Sequence, residues 1–298
     1  MVKSLQEPLV YIDGEFIPKS KAKISVFDHG LLYGDGVFEG IRAYNGSIFK
    51  FKEHLDRLYA SAHSLLLKIP LSREEMKAAV IETLKRNSMK DAYIRLVVTR
   101  GVGDLGVDPK KCAKPTVFII VGSISVIPKE VADKGIKTMI TWVRRDPVDG
   151  TSHEVKSLNY LNSILAKLEA NTYGMDEAIF LTSQGYLCEG TAENVFVIMG
   201  NEMWSPPAYT GALPGITKIA VTEVANKLGI KVEERLITAH ELFNADEVFF
   251  TGTGAEVIPV TEVNGRKIGN GKPGMVTIKI GIEFKKYAAD PANGEKYA

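Results

Sequence analysis

Two-residue turns that close β-hairpins recur in this chain, and they set which folds remain open to it. Asn45-Gly46 separates Val37–Tyr44 from Ser47–Phe51, Asp13-Gly14 divides the run Leu9–Ile17, and Gln184-Gly185 lies between Ala178–Leu181 and Tyr186–Cys188. Each pairs neighbouring strands antiparallel. Between the hairpins the apolar period changes. Leu55, Leu58, Ala62, Leu65 and Leu66 fall at helical spacing over Phe51–Leu67, and Ser72 with Glu75 forms a capping-box pattern ahead of a helix over Met76–Leu84. Ala92–Thr99 and Thr116–Gly122 are β-branched runs that read as strands.

The stretch Ser123–Lys134 carries a proline between apolar strands and reads as a connector. Beyond it the pattern predicts a strand over Lys137–Val143 and an amphipathic helix over Asn159–Tyr173, with Leu161, Ile164, Leu165 and Leu168 on one face. A strand at Asn194–Met199, a helix over Thr217–Leu228 and a strand at Glu247–Phe250 follow; the polar tail from Pro291 reads as frayed. This is a mixed α/β chain of two halves, not a regular βαβ alternation.

The 298 residues, 45% hydrophobic and 24% charged, suffice for two domains or one large one. A net charge of +1 gives no electrostatic case for a nucleic-acid or acidic-membrane partner. Cys112 and Cys188 stand far apart without a CxxC, so neither a disulfide framework nor a metal site is expected, and a reducing cytoplasm is. No segment has the length or hydropathy of a signal peptide or a membrane span.

For chemistry, Lys156 lies in His153–Tyr160 just before the amphipathic helix, where desolvation can turn an amine into a nucleophile for carbonyls. Taken alone, such a lysine is usually a solvated surface residue. Two places suit a phosphate: Pro214-Gly-Ile-Thr217, where a glycine precedes a helix, and the glycine-rich turn Thr251-Gly-Thr-Gly254 after a strand. Neither has P-loop spacing, and no GxGxxG follows a strand. Arg57 reads either as a surface partner of Glu53 four residues earlier or as a guanidinium reaching the same phosphate. His29, His54 and His63 read as structural or exposed, since no catalytic spacing surrounds them.

Seven motifs together carry a resemblance. They are Tyr33-Gly-Asp-Gly-Val-Phe-Glu-Gly-Ile-Arg42, Glu53-His-Leu-Asp-Arg-Leu58, Ala92-Tyr-Ile-Arg95, Lys156-Ser-Leu-Asn-Tyr160, Glu189-Gly-Thr-Ala-Glu-Asn194, Leu213-Pro-Gly-Ile-Thr217 and Thr251-Gly-Thr-Gly-Ala-Glu256. In this order, from about residue 9 to 285, the chain resembles the fold-type IV pyridoxal-phosphate aminotransferases, and more narrowly the branched-chain amino-acid aminotransferases. The resemblance implies a two-domain α/β (α+β) fold. A smaller N-terminal α/β domain (1–122) and a linker (123–134) would precede a larger C-terminal pseudo-barrel α/β domain that binds the cofactor (135–298).

It also implies roles. Lys156 is then the Schiff-base lysine and the base that moves the substrate Cα proton. Glu189 pairs with the pyridine nitrogen and keeps it protonated, with Asn194 supporting its loop. Tyr160 reaches the ring phenolate oxygen, while Arg57, Ile216, Thr217 and Thr253 hold the phosphate. Tyr33, Phe38, Gly40, Tyr93 and Arg95 line the substrate pocket, Arg95 being the candidate for the distal carboxylate of glutamate or 2-oxoglutarate. Thr253, Gly254 and Ala255 would offer amides to the substrate α-carboxylate. Val107 corresponds to a loop position that in the family enters the partner subunit's pocket, which implies a homodimer or homohexamer.

The implied reaction moves the amino group of L-leucine, L-isoleucine or L-valine to 2-oxoglutarate in ping-pong turnover. The alternative is a fold-type IV enzyme specific for D-amino acids or (R)-amines. Two departures bear on specificity. Ser123 and Val126 stand where many relatives carry pocket-walling aromatics, which leaves Trp142 as a candidate to close the pocket, and Gly254 replaces a frequent alanine and would make its turn more permissive.

Overall fold

The computed structural model describes residues 7–124 and 128–298. The chain divides into two compact units: unit 1 takes the chain up to Ile124 together with Val155–Asn159 and Ala289–Ala298, and unit 2 takes the rest. The five-residue segment with Lys156 and the carboxyl-terminal residues thus belong to unit 1, although both lie inside the 135–298 stretch expected to form a single C-terminal domain.

Unit 1 begins with β1 (Leu9–Ile12) and β2 (Glu15–Pro18). Asp13 at φ 48° and Gly14 at φ 101° make the left-handed turn between them. The short helix α1 (His29–Tyr33) is capped by the Asp28 carboxylate, which accepts from the Gly30 N–H. Strands β3 (Gly36–Tyr44) and β4 (Ser47–Phe49) turn at Asn45-Gly46, φ 50° and 80°. Helix α2 (Phe51–Ser64) ends three residues short of the expected Leu67. Leu66 adopts φ 50° there, and the Leu67 N–H returns to the Ala62 carbonyl, burying the Leu67 side chain. Helix α3 (Arg73–Arg86) carries the expected capping box, and β5 (Ala92–Thr99) and β6 (Thr116–Gly122) match their predicted bounds.

In unit 2, α4 (Lys129–Lys134) occupies the end of the expected connector, and residues 125–127, Val126 among them, lie outside the described residues. Strand β7 (Ile136–Ile140) stops before the predicted Val143. Past it the Thr141 N–H still donates to the Ile179 carbonyl, while the Trp142 N–H turns to the Glu169 carboxylate at 3.1 Å, which also accepts from the Thr141 hydroxyl. Glu169 lies on α5 (Leu161–Thr172), whose buried face is Ser163, Ala166 and Ala170. The apolar face of α5, with Leu161, Ile164, Leu165 and Leu168, is exposed. Then come β8 (Glu177–Leu181), β9 (Leu187–Gly190), β10 (Asn194–Met199), β11 (Glu202–Ser205) and α6 (Ile216–Lys227). After them follow β12 (Lys231–Glu234), α7 (Ala239–Phe243), β13 (Glu247–Gly252), β14 (Glu256–Val263), β15 (Arg266–Lys267) and α8 (Met275–Ala289).

The unit 2 sheet runs β12-β11-β10-β13-β14-β7-β8-β9, with β15 on β14. β9 and β10 are five strands apart in that order, a separation of about 24 Å in a flat sheet. Only residues 191–193 join them, a reach of roughly 14 Å, so this sheet curls on itself.

The unit 1 sheet runs β16-β4-β3-β5-β6-β1-β2, where β16 (Gly294–Lys296) pairs antiparallel with β4. The tail from Pro291 is therefore ordered, contrary to the sequence expectation. Its anchor is Tyr297, which is buried and donates its hydroxyl to the Met89 carbonyl at 2.7 Å. The core lies under α2 and α3, around Val37, Ile41, Leu58, Val80 and Ile94.

Candidate active site

In unit 1 the site begins with the alternation of β3. Val37, Ile41 and Ala43 point into the core, and Phe38 and Gly40 fall on the opposite face. Gly40 pairs with Arg95 on β5, and the Tyr93 hydroxyl lies above the glycine, so a Cβ at residue 40 would sit 2.3 Å from it. The Arg95 guanidinium stacks over the Phe38 ring at 4.5 Å and lies 5.5 Å from the Tyr93 ring. Phe38, Gly40, Tyr93 and Arg95, four of the five residues expected to line the substrate pocket, thus form one continuous surface of the sheet. Tyr33, the fifth, accepts the Gly106 N–H at 2.7 Å and so tethers the loop that ends at Val107. Val107 itself is 79% exposed.

Lys156 reaches this surface through the backbone. β4 pairs only with Ala43 and Tyr44 of β3, and Lys156–Leu158 takes the same edge further along. The Phe38 N–H donates to the Lys156 carbonyl and the Leu158 N–H to the Gly36 carbonyl, both at 3.0 Å, with Val37 bridged to Ser157. The Lys156 amide donates to Ser61 Oγ on α2, and its Nζ lies 4.4 Å from the Phe38 ring centroid. The lysine is therefore held by a strand pairing, not by the helix that follows it in sequence.

Glu39 falls on the core face of β3, among apolar residues, and is fully buried. His54 Nδ1 donates to Oε2 at 2.7 Å, and the Arg57 fork donates through Nε to Oε1 at 2.7 Å and through Nη2 to Oε2 at 2.8 Å. Of the two readings of Arg57, the solvated surface one does not hold, since the guanidinium is largely buried against Glu39; Glu53 faces Lys50. Burial alone would raise the Glu39 carboxyl, but Arg57 and then His54 outweigh it and hold it down to about 2. Burial likewise pushes His54 below its usual range despite Glu39 beside it, so at neutral pH the imidazole is neutral and donates from Nδ1. His29 is also structural, its Nε2 2.9 Å from the Asp104 carbonyl, while His63 is exposed.

In unit 2, described by itself, the candidate residues gather round Glu189, which is at the end of β9 and buried. Arg145 Nη2 donates to its Oε1, and Oε2 accepts from Asn194 Nδ2 at 3.1 Å and from the Leu213 N–H at 3.0 Å. Asn194 also donates to the Leu213 carbonyl at 2.9 Å, so it joins the strand carrying Glu189 to the turn before α6. Arg145 is fixed in turn by Asn162 and Ser163 and lies over the Phe180 ring at 4.6 Å.

Gly215 caps α6 with no side-chain hydrogen bond, and Ile216 and Thr217 open the helix, both buried. A Cβ at Gly215 would lie 1.9 Å from Asn194 Oδ1, so any larger residue there has to displace the Asn194 side chain. Thr253, Gly254 and Ala255 form the half-buried turn between β13 and β14. Glu256, the first residue of β14, takes the left-handed conformation, φ 57°, and Gly254 has no positive φ. Tyr160 is half-buried at the start of α5, and Trp142 is 72% exposed.

Sequence reasoning gave no role to Glu39, Ser61 or Arg145, and read His54 only as structural or exposed. Glu39 carried a legible signal: a carboxylate at a core-facing position of an otherwise apolar strand needs partners. Arg145 carried none, because its partner Glu189 is 44 residues away.

The family model for amino-transferase class IV matches residues 36–263. The provisionally named branched-chain-amino-acid aminotransferase of Methanocaldococcus jannaschii is 52% identical over 276 residues, covering 93% of this chain and 95% of that one. Among solved structures, the Escherichia coli branched-chain amino acid aminotransferase superposes with a TM-score of 0.92 at 33% identity, covering 96% of each chain. The T.th. branched-chain amino acid aminotransferase, solved with N-(5'-phosphopyridoxyl)-L-glutamate, gives 0.90 at 36% identity, covering 96% and 95%. The chain belongs to the class IV aminotransferase family, with the fold of its branched-chain members.

Each unit, taken by itself, carries groups of the kind that a pyridoxal phosphate takes. Unit 1 offers a lysine amine against an aromatic face and a guanidinium. Unit 2 offers a buried carboxylate and a helix N-terminus without a side-chain cap, which suit a protonated ring nitrogen and a phosphate.

Proposed function

We propose that this chain is a pyridoxal-phosphate-dependent transaminase that passes the amino group of L-leucine, L-isoleucine or L-valine to 2-oxoglutarate in a ping-pong cycle. Bound pyridoxal phosphate supplies an electron sink for the charge left at the substrate Cα. The observation that carries the reading is Glu189. A buried carboxylate that accepts from Arg145, Asn194 and the Leu213 N–H is fixed in place as an acceptor, as a protonated pyridine nitrogen requires.

Lys156 holds the cofactor through its amine and later carries the Cα proton. Its backbone pairing with β3 sets the start of that side chain, and Phe38 sets its end. Tyr160 serves the ring oxygen, and Asn194 keeps Glu189 aligned. Arg57, Ile216, Thr217 and Thr253 take the phosphate. The surface of Phe38, Gly40, Tyr93 and Arg95 receives the substrate, with Tyr33 and Val107 at its loop and Gly254 and Ala255 toward the α-carboxylate. Arg95 serves the distal carboxylate of glutamate. The L-glutamate adduct of the T.th. enzyme and the branched-chain names of the relatives favour this over a D-amino-acid or (R)-amine specificity.

A second copy of the chain completes the assembly in this reading. Val102, Leu105 and Val107 are exposed in one loop, and α5 exposes a further apolar face, which suits a homodimer or homohexamer. The free cysteines suit the cytoplasm.

The test is the visible spectrum of the holoenzyme with single donors. L-leucine should convert the bound cofactor to its pyridoxamine form, and 2-oxoglutarate should restore it. Conversion by D-alanine but not by L-leucine would overturn the reading.

A further inference from the structure

We infer that Glu39 is a positioning residue for the cofactor phosphate: it fixes the guanidinium plane of Arg57 and thereby sets how tightly the phosphate is held. The inference rests on the phosphate role proposed for Arg57. Glu39 is fully buried, and its two oxygens receive three hydrogen bonds of 2.7–2.8 Å, two from the Arg57 fork and one from His54. A bidentate fork fixes both the direction and the plane of a guanidinium, which a single bond does not. Glu39 itself belongs to β3, the strand whose edge carries Lys156. One strand therefore sets both the amine and, through Glu39, the arginine.

α2 is built to match. His54, Arg57 and Ser61 are spaced three and four residues apart, so they share one helical face. His54 and Arg57 meet Glu39, and Ser61 receives the Lys156 N–H. The helix thus braces the arginine and the lysine segment at once. His54, neutral and donating from Nδ1, occupies part of Glu39 without adding a charge. A glutamine at residue 39 would keep the shape but offer one acceptor oxygen where the arginine and histidine need two, and its NH2 would face another donor.

The test uses the full-length protein freed of cofactor and titrated separately with pyridoxal phosphate and with pyridoxal, which lacks the phosphate. Glu39→Gln should weaken pyridoxal phosphate about tenfold and leave pyridoxal unchanged. The 31P resonance of the bound cofactor should also move. Glu39→Asp, which keeps the charge on a shorter stem, should recover part of the loss, and it serves as the test variant if Glu39→Gln does not fold.

Equal weakening of both ligands would overturn the inference, since damage to the fold does not distinguish them. Tighter binding of pyridoxal phosphate would also overturn it, because Glu39 would then merely offset the arginine charge. Arg57→Ala separates the two levels. If it too fails to discriminate the ligands, the phosphate role of Arg57 falls; if only Glu39→Gln fails, the phosphate role stands and the positioning role falls.

Discussion

Replacing Arg145 with methionine should cost unit 2 about 3 kcal/mol of stability, and adding Glu189→Gln should restore most of it. Both side chains of this pair are 4% exposed, so removing the cation leaves a carboxylate buried without its counter-charge. Breaking such a pair typically costs about 3–5 kcal/mol. The lower end applies for two reasons. Glu189 keeps the bonds from Asn194 and Leu213, and the substitution removes Arg145 Nε, a buried donor with no partner among the described residues.

The protein supplies its own reporter. Its two tryptophans, Trp142 and Trp204, both lie in unit 2, so tryptophan fluorescence during urea unfolding follows that unit alone. The cofactor-free protein should be used, so that ligand binding does not add to the apparent stability. With a slope of about 3 kcal/mol per molar urea, the midpoint should fall by about 1 M. The double variant should regain it while remaining inactive, because stability and the acceptor for the ring nitrogen are then separated. An Arg145→Met midpoint equal to the native one, or a double variant weaker than the single, would refute the reasoning.

Other outcomes follow from the same structure. Gly215→Ala should displace Asn194, whose Oδ1 would lie 1.9 Å from the new carbon, and should weaken cofactor affinity in a titration by about tenfold. Tyr297→Ala, which removes a buried ring and its bond to the Met89 carbonyl, should cost about 3 kcal/mol in thermal or urea unfolding of unit 1. Burial, with Glu177 next, pushes the Glu193 carboxyl up to about 8, with Glu189 adding to the rise and Lys167 opposing it. The folded protein then holds a proton that the unfolded chain releases near 4.5, so this group lowers stability as pH rises from about 4.5 to 8. Glu193→Gln should flatten that decline; an unchanged profile of midpoint against pH would count against it. Glu39 has the opposite sign. Its stabilisation is whole above about 4.5 and fades as pH falls toward about 2, so Glu39→Gln should lose less between those values than the native protein does.

What the sequence makes legible here is mostly local. Asp13-Gly14 and Asn45-Gly46 announce their turns because those positions need positive φ, and Ser72 with Glu75 announces a helix start because both bonds of the box lie within four residues. The apolar period placed α5 as well, but not its orientation. A stripe of Leu161, Ile164 and Leu168 looks the same in sequence whether it meets the chain's own core or faces outward, and here Ala166 and Ala170 take the inside. The pairings hardest to read are distant ones: β16 with β4, Lys156 with β3, and Arg145 with Glu189. Nothing near residue 294 indicates that its partner strand is near residue 48. Glu39 lies between these cases, since its burial follows from strand alternation while its choice of Arg57 over a surface partner depends on how α2 packs.

The same long-range pairings bear on synthesis. After β6 leaves the ribosome, unit 1 has its helices and most of its sheet, yet the free edge of β3 waits for Lys156–Leu158 and that of β4 waits for Gly294–Lys296. Roughly 170 residues separate Gly122 from Gly294, about 9–35 s at ordinary elongation rates. Throughout that interval the nascent sheet carries unpaired backbone groups of the kind that recruit other strands. A nonsense mutation just ahead of Gly294 would leave intact every residue assigned to chemistry and still make β4, not β16, the outermost strand on that side of the sheet.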